Sequence, residues 1–153
     1  MKFFRLLLLL SLALQIQSEQ LKNILFVGNS YLYYNNSVHN YVEPMLREHH
    51  GSEIETKLSA IGGSKLHHHN IDHLLNPKNL NLDQQIDLLI MQGGSTEVIS
   101  EKDQEKFIQT VQQYSAKAQK LGVKTALYMT HAFTEADRRF EPNLIKKISK
   151  TYF

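Results

Sequence analysis

Short apolar runs alternate with amphipathic stretches along the chain from residue 24 to residue 129. Four runs have the length of buried strands, at residues 24–27, 54–61, 86–91 and 123–129. The first three run into glycines, at Gly28, at Gly62-Gly63 and at Gly93-Gly94. The run at residues 24–27 is continuously apolar and stops at Gly28, which is typical of a strand buried on both faces of a sheet, whereas residues 54–61 alternate in the manner of a strand.

Amphipathic stretches lie between and after these strands. Ser64 is predicted to cap a helix, and residues 77–81 are predicted to form a loop. Ser100 with Asp103 forms a predicted capping box at the start of the longest helix. Gly122 is the predicted stop of that helix. The apolar positions at helical spacing are Val38, Tyr41, Val42, Met45 and Leu46, then Leu66, Leu74 and Leu75, then Phe107, Val111, Tyr114, Ala118 and Leu121, and finally Leu144, Ile145 and Ile148.

The alternation of strands with helices predicts an α/β fold. Parallel strands joined by right-handed crossovers form a doubly wound sheet with helices on both faces, so we expect a three-layer α/β/α, flavodoxin-like domain with about four strands. Ligands in such folds bind at the carboxyl ends of the strands. Those ends carry Gly28-Asn29-Ser30, Gly62-Gly63-Ser64, Gln92-Gly93-Gly94-Ser95 and Thr130-His131.

The N-terminus has a different pattern from the rest of the chain. Lys2 and Arg5 precede a short apolar run, and the small residue Ser18 follows it. This pattern predicts a secretory signal at residues 1–18, a domain at 19–153 and a secreted protein. A membrane anchor is the alternative, although the run is shorter than the roughly 20 apolar residues that span a bilayer.

Charge and cysteine usage narrow the function. The 153 residues contain 17 Lys and Arg against 15 Asp and Glu, and removal of Lys2 and Arg5 would leave 15 of each. A neutral domain gives no electrostatic reason to expect nucleic acid or an anionic membrane as a partner. The absence of cysteine excludes a cysteine nucleophile and cysteine-ligated zinc. Asn35-Asn36-Ser37 is a glycosylation sequon.

Ser30 is the candidate nucleophile. A serine nucleophile needs exposure at a sharp turn, donors for an oxyanion and a base for its proton. The strand-end position of Ser30 supplies the first and favours the second. The alternative is that Ser30 only turns the chain toward the following helix.

Three strand-end blocks resemble those of the SGNH (GDSL-like) hydrolases. The segment ILFVGNSYLYYN at residues 24–35 is similar to the first block of the branch that carries Gly-Asn-Ser before an aromatic-rich turn. AIGGSKL at residues 60–66 resembles the second block, and DLLIMQGGS at residues 87–95 the third. The resemblance extends over residues 22–135 and implies an esterase fold.

The resemblance implies roles for individual residues. Ser30 matches the nucleophile, and its backbone N–H with that of Gly62 or Gly63 matches two oxyanion donors. The third donor of the family is an Asn in a Gly-x-Asn-Asp motif, where this chain has Gln92-Gly93-Gly94-Ser95. Gln92 or Ser95 is expected to substitute. The chemistry implies no cofactor.

The late Asp-x-x-His motif of the family has no match in residues 1–153. The five aspartates are followed three positions later by other residues, namely Leu75, Ile86, Ile90, Lys106 and Phe140. We therefore expect either a fragment that stops before this motif or a degenerate relative, and little hydrolase activity on p-nitrophenyl esters.

Eight histidines raise the question of a metal site. His69 and His73 have the i, i+4 spacing of ligands on one helical face, near His67 and His68, but no Glu-containing His-Glu-x-x-His motif or third ligand accompanies them. Solvent-facing helix histidines are the alternative, and we expect no metal. His131, at the end of the fourth strand, is a candidate substrate contact or a simple turn residue.

Two functions remain open on the sequence. The first is a secreted SGNH-type serine esterase that acts on small acyl esters or acylated carbohydrates. The second is a non-catalytic module of the same fold that binds a carbohydrate or another ligand at the strand ends. A nucleotide-binding flavodoxin-like domain is less favoured, because the corner at residues 28–30 lacks the Gly-x-Gly-x-x-Gly pattern.

Overall fold

Four parallel strands form one sheet in the computed structural model, which describes residues 21–50 and 53–131. The strands are β1 (Asn23–Gly28), β2 (Glu55–Ala60), β3 (Leu88–Gln92) and β4 (Lys124–Tyr128). Their order across the sheet is β2-β1-β3-β4. This is the order of a doubly wound, flavodoxin-like sheet. The predicted α/β class and its four strands are confirmed.

The helices connect successive strands. They are α1 (Ser30–Tyr33), α2 (Val38–His50), α3 (Ile71–Leu74) and α4 (Glu101–Gln119), with 3₁₀ turns at Leu66–His68 and Pro77–Leu80. Ser100 caps α4 as predicted, since its Oγ accepts a hydrogen bond from Asp103 N at 3.2 Å. Gly122, with φ at +76°, follows that helix. No helix among residues 21–50 and 53–131 is long and apolar enough to cross a membrane.

The segment between β2 and β3 differs from the prediction. Ser64 does not cap a helix, because its side chain points inward and donates to the Gly28 carbonyl at 3.2 Å. Short turns replace the expected helix and loop, because Asn70 and Asn76 each accept a hydrogen bond from a backbone N–H two or three residues ahead. An asparagine that binds its own backbone in this way favours caps and turns over continued helix.

The core lies on both faces of β1. Leu25 and Val27 face the larger cluster, which α3 and α4 cover, and Ile24 and Phe26 face the smaller one beneath α1 and α2. Successive side chains of a strand point to opposite faces, so this one strand supplies both halves of the core. All six residues of β1 are buried. The strand is thereby fixed from both sides, and its carboxyl end is held in place.

Two sequence-based predictions lie outside the described residues. These are the signal at residues 1–18 and the amphipathic piece with Leu144, Ile145 and Ile148. The sequon residue Asn35 is described, and it is exposed with φ at +52°.

Candidate active site

Ser30 is the first residue of α1 and follows β1 after a single intervening residue. That residue, Asn29, caps α1, since its Oδ1 accepts a hydrogen bond from Tyr31 N at 3.2 Å. Ser30 is half-buried at the carboxyl end of the sheet. The strand-to-helix corner expected for a nucleophile is therefore present.

Asn29 holds the corner against the ends of the two neighbouring strands. Its backbone N–H donates to Gln92 Oε1 at 2.9 Å. Its side-chain Nδ2 donates to the carbonyls of Ser64 at 3.1 Å and Gly93 at 3.3 Å. These hydrogen bonds are buried, and they connect β1 with the segments that follow β2 and β3. The position of Ser30 thus depends on all three strand ends.

Gly28 leaves the space in which Gln92 reaches Asn29. A Cβ at Gly28 would lie 2.5 Å from Gln92 Oε1 and 2.8 Å from Leu32 Cδ1. Both distances are far shorter than van der Waals contact. Glycine is needed here because of this close approach, and residue 28 does not have a positive φ.

A cleft of about 390 Å³ opens beside Ser30. Its walls combine residues from the three predicted blocks with Thr96, which follows the third block. The lining residues are Asn29, Ser30, Tyr31, Tyr34, Gly63, Ser64, Lys65, Gly94, Ser95 and Thr96. The structure brings Ser30, Gly63 and Ser95 together, as the sequence predicts. In the part of the chain that the structure describes, the backbone N–H groups of these three residues donate no hydrogen bond. They are free to act as donors to a ligand.

Gln92 and Gly62 have other positions than expected for oxyanion donors. The side chain of Gln92 is fully buried, accepts from Asn29 and donates to the carbonyl of Gly93. Its amide is used inside the protein, so its side chain supports the corner and is not offered to a substrate. Gly62 is exposed and does not line the cleft, and a Cβ there would lie 3.0 Å from Tyr33 Oη.

His131 lies at the margin of the site. Its ring packs edge-to-face on Tyr31, with the two ring centroids 4.9 Å apart. Tyr31 lines the cleft and follows Ser30 directly. Within residues 21–50 and 53–131, Ser30 Oγ forms no hydrogen bond with His131 or another side chain.

The histidine cluster does not form a shared face. His69 is buried with Nε2 3.2 Å from Ser64 Oγ, whereas His73 is exposed and its Nδ1 lies 3.1 Å from Asn79 Nδ2. The interpretation of these histidines as solvent-facing is wrong for His69. Burial lowers the pKa of His69, which favours the neutral ring. No group of three or more potential metal ligands is found among the described residues.

Sequence reasoning missed Glu97 and the structural task of Asn29. Glu97 is buried beside the cleft and accepts hydrogen bonds from the backbone N–H groups of Gly94 and Leu66. No local pattern marks it, because its contact with Leu66 joins residues that are 31 positions apart. Asn29 stood within the quoted block, but its partners lie as many as 64 positions away.

The fold is similar to solved esterase structures. A variant of the esterase AlinE4 matches with a TM-score of 0.64 and 16% identity over 87% of this chain and 69% of that one. The acetyl xylan esterase AlAXEase matches with a TM-score of 0.56 and 19% identity, over 85% of this chain and 70% of that one. A GDSL-like lipase from Bacteroides thetaiotaomicron matches with a TM-score of 0.52 and 15% identity, over 97% of this chain and 69% of that one.

These similarities establish the fold that the sequence resemblance implied, which is the α/β fold of GDSL-like esterases. No family model matches the sequence. No curated protein matches it either. The activity of the chain is therefore argued from its own residues.

Proposed function

We propose that this chain carries the nucleophile and oxyanion side of a serine esterase of the SGNH (GDSL-like) type. The observation that carries the proposal is the cleft itself. Ser30, Gly63 and Ser95 line it together, and within the described residues their backbone N–H groups donate no hydrogen bond. Such donors stabilise the negative charge that develops when a serine attacks an ester carbonyl.

The reaction would proceed through an acyl-enzyme. Ser30 Oγ bonds to the carbonyl carbon and loses its proton to a base, the bond to the ester oxygen breaks, and the alcohol leaves with a proton. Water then attacks the acyl carbon and gives a proton to the base, the bond to Ser30 Oγ breaks, and the carboxylic acid leaves as the proton returns to Ser30. The backbone N–H groups of Ser30 and Gly63 and a group of Ser95 would hold the oxyanion. In the family that the chain resembles, the base is the histidine of the late Asp-x-x-His motif, which has no match in residues 1–153, so in this chain an added base has to take the proton.

The walls of the cleft favour acylated carbohydrates among small esters. Tyr31 and Tyr34 are among its lining residues, and Tyr34 is 61% exposed. Aromatic rings with a polar end suit ligands that combine apolar faces with hydroxyls. The similar fold of an acetyl xylan esterase supports this choice. We also propose secretion, on the strength of the basic and then apolar residues at 1–18.

A binding module is the second candidate. One observation favours it, namely that Ser30 Oγ has no histidine partner within the described residues. A cleft without a base would hold an acylated sugar and release it unchanged. We accordingly expect little turnover of p-nitrophenyl esters by the 153-residue chain unless a base is added.

Imidazole in solution gives a direct test, because it can take the place of a missing base. We expect a fluorophosphonate probe to label the 153-residue chain at Ser30, faster with imidazole than without, with the site read by peptide mass spectrometry. Each oxyanion donor contributes about two to three orders of magnitude in rate. Because donors line the cleft, the labelling of Ser30 should far exceed that of an ordinary serine.

Ser30→Ala should abolish the labelling, and Ser115→Ala on the distant helix α4 is the matched control. A chain that binds an acetylated xylo-oligosaccharide but is never labelled at Ser30, with or without imidazole, would support the binding module and reject the esterase.

A further inference from the structure

Glu97 is a buried carboxylate that the proposed reaction does not use. It follows the cleft residues Gly94, Ser95 and Thr96, and its side chain is 1% exposed. Its Oε2 accepts hydrogen bonds from Gly94 N, at close range, and from Leu66 N at 3.2 Å. One oxygen of a single side chain thus accepts from two backbone donors.

The two donors belong to two different loops, each of which contributes residues to the cleft. We call residues 61–66 the β2 loop and residues 93–97 the β3 loop, because each follows the strand of that name. The β2 loop supplies Gly63 to the cleft and the β3 loop supplies Ser95. Oε2 therefore connects the β2 loop with the β3 loop, in addition to the hydrogen bonds that Asn29 donates to Ser64 and Gly93.

The other carboxylate oxygen faces a histidine. Glu97 Oε1 lies 3.8 Å from His67 Nδ1. Within the described part of the chain, both atoms are buried and neither has a hydrogen-bond partner. One proton placed between them would satisfy both at the cost of a small movement, since an O–H···N contact closes at roughly 3 Å.

Charged neighbours surround this pair. Lys65 and Asp103 act on both groups, and His68 and Lys106 act on His67. Burial is the largest influence on each, and it raises the pKa of Glu97 and lowers that of His67. Each shift favours the neutral form of its own group, so a single proton shared by the pair is consistent with the surroundings.

We propose that Glu97 is a positioning residue that joins the β2 loop to the β3 loop beside Ser30, with His67 sharing a proton with its free oxygen. The assignment rests on the proposed function only for its effect on Ser30. The joining of the two loops is a statement about the fold, and it is tested separately.

Three variants separate the carboxylate oxygen from its charge. Glu97→Ala removes the acceptor, and we expect the amides of Gly94 and Leu66 to exchange hydrogen about tenfold or more faster in nuclear magnetic resonance spectra. We expect the labelling of Ser30 by the fluorophosphonate, with imidazole present, to slow as well. Glu97→Gln keeps an oxygen for both donors and offers an N–H to His67 Nδ1, so it should restore both readouts. Glu105→Gln, on the exposed side of α4, is the charge-matched control.

A pH titration tests the pair without relying on activity. In the native protein, the amide resonances of Gly94 and Leu66 should shift as the Glu97–His67 pair titrates, and in Glu97→Gln this shift should be lost. If these resonances shift with pH in Glu97→Gln as they do in the native protein, or do not shift in the native protein, the proposal that Glu97 and His67 share a proton is wrong. Should Glu97→Ala fail to fold, the comparison of the native protein with Glu97→Gln still tests whether Glu97 and His67 share a proton.

The two proposals fail in different ways. Unchanged exchange of the Gly94 and Leu66 amides in a folded Glu97→Ala protein would reject the joining role, whatever Ser30 does. Absence of Ser30 labelling in the native chain would reject the esterase and leave amide exchange as the measure of Glu97.

Discussion

Asn29 holds the corner before Ser30 through both polar atoms of its side-chain amide. Its Oδ1 faces a backbone donor, Tyr31 N, and its Nδ2 faces two carbonyls, of Ser64 and Gly93. An amide satisfies both ends, whereas a carboxylate of the same shape would point an oxygen at two other oxygens. Buried polar groups left in such a state carry the full cost of their desolvation.

Asn29→Asp should therefore destabilise the protein in a pH-dependent way. Burial and the two facing carbonyls disfavour the charged form, so the pKa of the new Asp in the folded state is raised above its unfolded value of about 3.9. The loss of stability relative to the native chain should be smallest at acid pH, where the new Asp is protonated. It should grow as pH rises above the unfolded-state pKa and reach about 3 kcal/mol or more at pH 7. Urea unfolding between pH 3 and pH 8 measures it.

The exposed Asn81 supplies the control, since Asn81→Asp changes the same atoms without burying them. A loss of stability in Asn29→Asp that did not depend on pH would contradict the assignment of its Nδ2 to the two carbonyls.

The residue scale also shows what sequence reasoning can reach. Ser30, Gly63 and Ser95 were predictable because each stands next to a strand end, and the carboxyl ends of parallel strands meet at one edge of the sheet. The internal role of Gln92 was not predictable. Its contact with Asn29 spans 63 positions, and it depends on the open space beside Gly28.

At the scale of elements, local signals were reliable where they agreed with one another. Helix α4 has a cap at Ser100, apolar side chains at helical spacing and a glycine with positive φ after its end. The segment from Ser64 to Asn81 had competing signals, because asparagines that favour turns interrupt its apolar spacing. The tertiary contact of Ser64 with Gly28 then removed the expected cap.

The cap of α4 allows a direct measurement of one such local signal. Ser100→Ala removes the acceptor for Asp103 N, and we expect a loss of about 1 kcal/mol in the free energy of unfolding, which thermal or urea denaturation detects. Ser115→Ala, inside the same helix and away from its cap, should be neutral or slightly stabilising because alanine is the better helix former. Equal effects of the two substitutions would show that the cap contributes nothing.

At the scale of the whole molecule, the helices bury their side chains to different extents on the two faces of the sheet. Helix α4 buries Phe107, Thr110, Tyr114 and Ala118, whereas α2 contains no buried residue and has Pro44 in its interior. Polar contacts connect α2 to the edge of the sheet. Glu43 accepts from Thr56 N at 2.9 Å, and Arg47 donates to the carbonyl of Ile54 at 2.7 Å.

This asymmetry predicts that α2 opens before the rest of the domain. Local opening needs least free energy where few apolar contacts are buried, so we expect the amides of α2 to exchange at least about tenfold faster than those of α4 after correction for intrinsic rates. Hydrogen exchange followed by mass spectrometry on peptides from the two helices measures the difference. Equal protection of the two helices would mean that Glu43, Arg47 and the half-buried Val38, Val42 and Leu46 hold α2 as firmly as a buried face holds α4. If α2 does open first, the loop at residues 34–37 that leads from α1 into α2 opens with it, and the wall of the cleft that Tyr34 provides becomes the most easily displaced part of the site.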